Sequence, residues 1–576
     1  MKRLLAILLC LALLLPAAAS AAKTSDPSDI RVNLRRLNLT DQAWLTLEGR
    51  YLVRCADGTE LLLPDSARVT VFLRNNQLIL FHGGLSVSAG KKLTFLRQQE
   101  DGTEPGIRFN LQQGIYPGNL SLSVKDGGLQ AVLTLPLETY LQGVVPCEMS
   151  DSFPLEALKA QAVCARTYAL SKFNPSAEWD VVDTTNDQVF RGLLPENKNS
   201  AQAVADTAGL VLTCSNRLIT AWYSASNGGQ TELPEHVWGG DNIPACFAIT
   251  DDPWDAENPE SLTRTAVLYK NGSRFPKAAV RLIKTALAGD AGMADFDLSE
   301  EADFRVDAVR EVRLAGPRFP DPSRLMTQLV ITLDCSAPLK AGHTLPLNRE
   351  EDLDLEDVLH PDRTAVPTAT PAPAAAGEPE LFSAGTRTVT LELFPEGVFA
   401  LGLSISGANN EIITLTEDDA AFTLVSGRYG HGVGMSQRGA EYQASKGGRT
   451  FDQILDFYYP GAVLKQYQGE PAPVPTPDPM LAVTPGPVPT ATPRPTLMPV
   501  TEELPEGAWL ASVENIDDDS SLNLRAQPSP AAEILMRLYK HQKLIVLENA
   551  ETEGWVRVKT DVTEGYVMAS FLQPVK

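Results

Sequence analysis

The stretch that organises the chain runs from Leu137 to Phe173 and reads LETYLQGVVPCEMSDSFPLEALKAQAVCARTYALSKF. Its first apolar run ends at Pro146, a residue that discourages further helix. Asp151 can then cap a second element, in which apolar residues recur every three or four positions, as an amphipathic helix requires. We therefore expect Glu148 on a short irregular segment, just outside the N-terminus of that helix.

The surroundings of Glu148 make it a candidate general acid. Val145 and Met149 are apolar neighbours that raise a carboxyl pKa by disfavouring the charged form, whereas a nearby helix N-terminus lowers that pKa. A carboxyl that stays protonated near neutral pH is what a general acid needs. The pattern alone favours a plainer alternative, a glutamate that caps or salt-bridges the start of a helix.

A family resemblance shifts this balance toward catalysis. VVPCEM, followed by PLEALKAQAVCARTYAL, resembles the signature of the SpoIID/LytB family of bacterial sporulation and cell-wall proteins. In the sporulation members the glutamate of this segment is the catalytic acid of a lytic transglycosylase, and Glu148 occupies that position. The resemblance thus implies that Glu148 protonates the oxygen joining N-acetylmuramic acid to N-acetylglucosamine. The substrate's own C6 hydroxyl would then close a 1,6-anhydromuramyl end, so that one carboxyl suffices, although Glu138, Asp151, Asp183 and Asp187 could lie nearby.

Three further segments resemble the family. They are the polar loop DTTNDQVFRG at 183–192, the glycine loop SASNGGQTE at 224–232 and GRYGHGVGMSQRGA at 427–440. The resemblance implies that these segments and the central helix bind sugar or stabilise charge, through Arg166, Tyr168, Gln188, Ser226, Gly229, His431 and Gln437. Arg166 and Tyr168 could equally be structural, because the helix that carries them must pack. The paired glycines also suit a plain turn at the end of a strand.

Metal and thiol chemistry are not expected. Some relatives carry histidine and cysteine around the glycine loop and have been associated with zinc, but this chain has Tyr223, Ala225 and Asn227 there. The cysteines outside the first 22 residues form no CxxC pair, so we predict no metal and no cofactor. Without a cysteine–histidine constellation, Cys147 is a poor candidate nucleophile. Export would permit disulfides, including Cys147 with Cys164, but the sequence does not choose a pairing.

Composition limits the partners. The formal net charge of −23 argues against nucleic acid and against binding anionic wall polymers by bulk charge. The expected partner is the peptidoglycan glycan strand. Some family members are described as enhancers of a separate wall amidase, so a non-catalytic activator with an amidase partner stays open as an alternative. A purely structural wall protein is a third interpretation, but it leaves Glu148 and His431 without a purpose.

The predicted fold class is α+β. A mixed α/β SpoIID-like domain with a β-rich N-terminal portion precedes a small all-β barrel. That barrel resembles bacterial SH3-like domains through LNLRAQPS at 522–529; Trp555 is expected half in its core, beside a shallow groove lined by Arg557 and Tyr566. Such domains usually attach enzymes to peptidoglycan. The predicted divisions are a signal peptide at 1–22, the β-rich portion at 23–109, the catalytic domain at 110–468 with a disordered insertion at 364–380, a Pro/Thr-rich linker at 469–505 and the SH3-like domain at 506–576. The signal implies an exported, wall-associated protein, either released or anchored by an uncleaved signal segment.

Overall fold

A computed structural model describes the chain in two compact units that divide after Pro477. The described residues are 29–98, 106–109, 112–240, 245–344 and 380–467, and in the second unit 508–514, 521–529, 532, 534–539, 543–549, 554–559 and 564–574. The predicted signal peptide, the insertion up to residue 379 and the linker lie outside these residues. Within the described ranges, no helix is both long and apolar enough to cross a membrane.

The N-terminal part of the first unit is strand-rich, as predicted. Its strands are β1 Asp29–Asn33, β2 Gln42–Glu48, β3 Arg50–Cys55, β4 Glu60–Leu63, β5 Arg68–Arg74, β6 Gln77–His82, β7 Leu85–Gly90, β8 Lys92–Gln98, β9 Gly106–Phe109, β10 Tyr116–Pro117, β11 Asn119–Lys125, β12 Gly128–Pro136 and β13 Val181–Val182. They form one sheet in the order β13-β1-β12-β11-β8-β3-β4 and another in the order β10-β9-β2-β5-β6-β7. Alternate residues of β12 are buried, so one face of its sheet packs on the core. β12 ends where the first helix begins, and it thereby sets the position of that helix.

Helices form the middle of the first unit. They are α1 Leu137–Glu148, α2 Leu155–Ser171, α3 Lys198–Asp206, α4 Pro234–Trp238 and α5 Pro253–Glu257. Helix α2 is buried along almost its whole length, because small alanine side chains allow neighbouring elements to approach it closely. Four short strands accompany these helices: β14 Leu210–Cys214, β15 Arg217–Leu218, β16 Tyr223–Ser224 and, later in the chain, β24 Val463–Gln466.

The prediction that Glu148 lies on an irregular segment is wrong. Helix α1 continues through Pro146, and Glu148 is its last residue. A proline removes one helical hydrogen bond and crowds the preceding turn, but burial can outweigh this cost. Here Leu141, Val144 and Val145 are buried in the core, and the Met149 N–H donates to the Val145 carbonyl at 2.9 Å.

Asp151 caps a different helix from the one predicted. Pro154 stands at the start of α2, where no side-chain cap is found among the described residues. The Asp151 carboxylate instead accepts hydrogen bonds from the backbone N–H groups of Asn199 and Ser200, at 3.3 and 2.6 Å. These groups lie in the first turn of α3, so Asp151 joins the turn after α1 to the start of α3.

The remaining elements of the first unit build a second hydrophobic core and then return to the first. The strands are β17 Arg264–Tyr269, β18 Arg305–Pro317, β19 Met326–Ala337, β20 Phe382–Glu392, β21 Ile412–Glu417, β22 Ala421–Gly427 and β23 Met435–Ser436; the helices are α6 Lys277–Leu287, α7 Val398–Ala400, α8 Gln437–Ser445 and α9 Phe451–Tyr458. The sheets β17-β22-β21 and β18-β19-β20 enclose the second core with α6. β23 pairs in parallel with β16, which brings the segment around His431 against the glycine loop.

The second unit is a single sheet of short strands. They are β25 Trp509–Val513, β26 Ser521–Arg525, β27 Ile534–Tyr539, β28 Lys543–Asn549, β29 Trp555–Lys559, β30 Glu564–Met568 and β31 Leu572–Pro574, in the order β27-β26-β30-β29-β28-β25-β31. Trp555 is buried, whereas the sequence predicted a half-exposed position. It is the first residue of β29, which has a neighbouring strand on each side. Arg557 and Tyr566 lie opposite each other on β29 and β30 and are both partly exposed.

Candidate functional site

Glu148 lies where α1, the polar loop and α8 meet. Its Oε1 accepts a hydrogen bond from the Val189 N–H at 2.8 Å, and the Gln437 side chain also hydrogen-bonds the carboxyl. The residue keeps some solvent-exposed surface, yet protein atoms surround the carboxyl closely enough that burial raises its pKa to about 7. The two hydrogen bonds lower the pKa but do not cancel the effect of burial. Because Glu148 ends α1, the negative end of that helix dipole also disfavours its charged form, the opposite of the expected N-terminal effect.

Two side chains fix the polar loop so that the Val189 N–H faces Glu148. The Asp187 carboxylate accepts from the Tyr168 hydroxyl at 2.9 Å and from the Val182 N–H at 2.8 Å. Tyr168 is buried on α2. Of the two interpretations open for Tyr168, sugar binding and a structural role, these contacts favour the structural one, because the hydroxyl holds Asp187 of the polar loop.

Gln188 joins two tyrosines inside the site. It is wholly buried, and its Nε2 donates to the Ala165 carbonyl at 3.2 Å and to the Tyr223 Oη at 3.1 Å. Its Oε1 accepts from the Tyr140 hydroxyl at 3.4 Å. The Tyr223 phenol is close enough to Glu148 that the two groups interact electrostatically. Gln188 therefore orients Tyr223, a residue that sequence analysis treated only as a departure from the zinc-associated relatives.

Tyr223 also connects His431 with this group. The His431 ring forms a hydrogen bond with the Tyr223 backbone, and its Nδ1 accepts from the Val433 N–H at 3.0 Å. Burial, followed by the charge of Arg428, lowers the His431 pKa to about 4, so the ring is neutral near pH 7. The His431 and Trp238 ring centroids are 5.0 Å apart.

The glycine loop is held by a carboxylate rather than left open. Asp255 Oδ2 accepts from the Ser226 hydroxyl at 2.9 Å and from the Gly229 N–H at 3.1 Å, and Oδ1 accepts from the Ser436 hydroxyl at 2.7 Å. The polar groups of Ser226 and Gly229 that were predicted to bind sugar thus bind Asp255. Gly228, with φ of +70°, passes so close to Arg428 that an added Cβ would lie 2.7 Å from the Arg428 backbone nitrogen. The close approach explains the glycine.

Asp252 joins the same loop to α9. Its Oδ2 accepts from the Asn227 side-chain amide at 2.8 Å and from the Tyr458 hydroxyl at 2.7 Å. Burial raises the Asp252 pKa to about 6. Neither Asp252 nor Asp255 was predicted from the sequence, although an aspartate directly before Pro253 is a recognisable helix-start signal.

A buried ion pair completes the link between the two glycine-rich segments. Arg428 donates to the carbonyls of Asn227 and Gln230 at 3.0 and 2.9 Å, and its Nη1 lies 3.4 Å from Glu232 Oε2. Glu232 also binds His236 Nδ1 at 2.7 Å. These contacts fix the geometry of both segments. None of them uses the His431 side chain.

Arg166 lies away from Glu148. Its guanidinium is wholly buried and makes two hydrogen bonds of 2.7 Å to the Glu138 carboxylate, with others to the carbonyls of Val204 and Leu210. These contacts connect α2 to α1, α3 and β14. They favour the structural alternative for Arg166.

The thiols near the site do not form the pair considered from the sequence. Cys164 Sγ donates to Tyr459 Oη at 3.4 Å and lies 4.0 Å from Met435 Sδ, whereas the Cys147 thiol hydrogen-bonds the Arg191 backbone. Burial raises the Cys147 pKa, which opposes formation of a nucleophilic thiolate. Across the described ranges, no group of three or more His, Cys, Asp or Glu side chains is placed to hold a metal ion.

Comparison with known proteins finds one matching family in each unit. Residues 125–214 match the family model described as Stage II sporulation protein, and residues 520–573 match the one described as Bacterial SH3 domain. The first unit therefore contains a segment similar to the SpoIID family, and the second contains a segment similar to bacterial SH3 domains.

Individual relatives agree with this assignment. The "Amidase enhancer" of Bacillus subtilis is 30% identical over 334 residues, 57% of this chain and 40% of that protein. "Stage II sporulation protein D" of Bacillus subtilis is 26% identical over 424 residues, 70% of this chain and 92% of that protein. The protein of the same description from Bacillus amyloliquefaciens is 32% identical over 194 residues, 31% of this chain and 54% of that protein. The chain thus spans less than half of the amidase enhancer but most of the Bacillus subtilis sporulation protein.

Proposed function

We propose that the protein is an exported, wall-associated lytic transglycosylase that remodels peptidoglycan in sporulation or wall turnover. It cleaves the bond between N-acetylmuramic acid and N-acetylglucosamine and leaves 1,6-anhydromuramyl ends. The observation that carries this proposal is the Glu148 carboxyl, whose pKa is raised to about 7 in a residue that is only partly buried. At neutral pH a substantial fraction of the carboxyl can therefore donate a proton.

The reaction needs only one carboxyl. The Glu148 O–H gives its proton to the glycosidic oxygen as the bond from that oxygen to the muramyl C1 breaks. The muramyl C6 hydroxyl then attacks C1 and returns its proton to the Glu148 carboxylate, which restores the acid. The Val189 N–H and the Gln437 amide stabilise the carboxylate between the two proton transfers.

The four carboxylates considered as possible second acids support this single-carboxyl reaction, because each has another partner. Glu138 binds Arg166, and Asp151 caps α3. Asp183 accepts from the Arg36 N–H at 3.0 Å, and Asp187 accepts from Tyr168 and Val182. A glycosidase that uses two carboxylates would need one of them free to face Glu148 across the sugar.

A second candidate function is activation of a separate wall amidase, without turnover by this chain. It is favoured by the 30% identity to the amidase enhancer. In that case Glu148 would serve the structure of a binding surface rather than proton transfer.

One experiment separates the two functions. The protein is incubated with purified glycan strands, and the products are analysed by mass spectrometry with and without a purified N-acetylmuramoyl-L-alanine amidase. We expect anhydromuramyl ends from the protein alone. Absence of these ends, together with faster peptide release by the amidase, would replace the proposal by its alternative.

The SH3-like unit is proposed to bind the wall. It is a compact unit of its own, and it presents Arg557 and Tyr566, partly exposed, on adjacent strands. A chain shortened to end at residue 468 should keep its activity on soluble glycan and sediment less with intact sacculi. Equal sedimentation of the two chains would remove the targeting role.

A further inference from the structure

Two cysteines outside the proposed site lie side by side. Cys214 ends strand β14, and Cys246 lies in the segment that precedes α5. Neither is in a disulfide in the structure, and their thiols lie close enough to interact with each other. Cys246 is wholly buried in the main core, and Cys214 is partly buried against the same core. The other described cysteines have different surroundings. Cys55 ends β3 near Asp57, and Cys147 contacts Arg191. Cys164 contacts Tyr459 and Met435, and Cys335 belongs to the second core.

We propose that Cys214 and Cys246 form a disulfide bond in the exported protein. The inference rests on the exported location proposed above and not on the glycosidic chemistry. Thiols in contact need little backbone movement to reach bonding geometry, and an exported protein meets an oxidising environment.

The bond would form by thiol–disulfide exchange with a small-molecule disulfide such as oxidised glutathione. The Cys214 thiolate attacks the disulfide and releases one glutathione thiolate, which takes up the proton that Cys214 lost. The Cys246 thiolate then attacks the mixed disulfide at Cys214 and releases a second glutathione. Overall, the two cysteines lose two protons and two electrons, and one oxidised glutathione becomes two reduced molecules.

Access decides the order of these steps and their timing. Cys214 is partly exposed whereas Cys246 is wholly buried, so Cys214 reacts first. Burial, together with the Cys214 thiol, raises the Cys246 pKa to about 12, which leaves little thiolate in the folded protein. Oxidation should therefore be faster during folding than after it.

The bond would restrain the part of the chain that surrounds His431. The segment between the two cysteines contains Tyr223 and the whole glycine loop. Next to Cys246, the Phe247 ring lies 5.4 Å from Trp222, whose ring is 4.8 Å from Trp238. A covalent link across this segment stabilises it mainly by restricting the unfolded chain.

The pairing is tested on the full chain, refolded in a mixture of reduced and oxidised glutathione. Free thiols are alkylated in denaturant and the protein is digested without reduction. We expect one linked peptide pair that contains Cys214 and Cys246, about 2 Da lighter than the two reduced peptides together. Alkylation of both cysteines, or linkage of either one to a third cysteine, would overturn the proposal.

Stability gives an independent measurement. The oxidised protein should melt about 3–5 °C above the protein reduced with dithiothreitol. Cys214→Ser should abolish this difference, whereas Cys335→Ala, in the second core, should retain both the difference and the linked peptide. A redox-dependent difference that persists in Cys214→Ser would contradict the pairing. Failure of the pairing in a protein that still produces anhydromuramyl ends would leave the proposed function intact.

Discussion

Glu148 and the two aspartates at the start of α5, Asp252 before its first residue and Asp255 within it, are buried carboxyl groups that differ in how many hydrogen bonds they accept. Burial raises the pKa of Glu148 to about 7 and that of Asp252 to about 6. Asp252 is wholly buried and accepts from two side chains and a backbone N–H, and Asp255 accepts four hydrogen bonds. Glu148 has one backbone donor and one side-chain donor, and it keeps exposed surface. A raised pKa therefore does not by itself distinguish an acid catalyst from a structural carboxyl.

Asp183 sharpens the comparison. Burial raises its pKa to about 7, as for Glu148, and its Oδ2 has no hydrogen-bond partner among the described residues. Yet the side chain is wholly buried, so no glycan can reach it. Access together with unused hydrogen-bonding capacity, rather than pKa alone, separates Glu148 from the other carboxyls.

The largest expected effect is on the activity of Glu148→Gln. The amide can still accept from the Val189 N–H and hydrogen-bond Gln437, so the fold should be kept, but it cannot donate a proton as an acid. We expect the rate of anhydromuramyl formation to fall by about two to four orders of magnitude. Glu196→Gln, the same change at an exposed position, is the matched control and should retain full activity. Normal turnover in folded Glu148→Gln would remove Glu148 from the reaction.

Asp255→Asn, in contrast, should lower the stability of the fold. The amide replaces one acceptor oxygen by an NH2 donor. The serine hydroxyls can rotate to accept from it, but the backbone N–H of Gly229 is fixed and would face another donor. We expect a loss of about 2–4 kcal/mol in the free energy of unfolding, measured by urea denaturation. Asp251→Asn, at a carboxylate whose side chain is 73% exposed, should cost far less. Equal losses in the two variants would mean that the Asp255 network contributes little.

The sequence predicted much of this arrangement, for reasons that differ between elements. Alternation of apolar residues predicted the N-terminal strands, and three- and four-residue spacing predicted α2, because both are local patterns. The position of Glu148 at the end of α1 was missed since tertiary burial outweighed the effect of Pro146. Asp252 and Asp255 were missed because their partners lie on three other segments, which only the folded chain brings together.

The Glu148 pKa also predicts how stability depends on pH. A carboxyl whose folded pKa is raised stabilises the fold fully below its unfolded pKa of 4.5, and this stabilisation is lost as pH rises through about 7. Glu148→Gln cannot ionise, so its stability relative to wild type should improve by about 1–3 kcal/mol between pH 5 and pH 8.5. Denaturation at both pH values measures the change. Wild-type activity should also decline above about pH 7, as the acid form is lost. A relative stability of Glu148→Gln that does not depend on pH, like that expected of Glu196→Gln, would refute the raised pKa.

The smallest effect is expected for Tyr223→Phe, which tests whether the hydrogen bond between Gln188 and Tyr223 affects the reaction rate at Glu148. Loss of the hydroxyl leaves the Gln188 Nε2 with the Ala165 carbonyl as its remaining partner in the hydrogen bonds described above. One hydrogen bond between neutral groups contributes about 0.5–1.5 kcal/mol, so activity should fall roughly 2- to 10-fold. The decline should appear in kcat, because Gln188 and Tyr223 act on the position of the site. Tyr429→Phe, at a tyrosine that is 48% exposed on the segment around His431, is the matched control and should leave kcat unchanged. If Tyr223→Phe lowered only the thermal stability, the Gln188–Tyr223 pair would belong with the structural network of Asp255 rather than with Glu148.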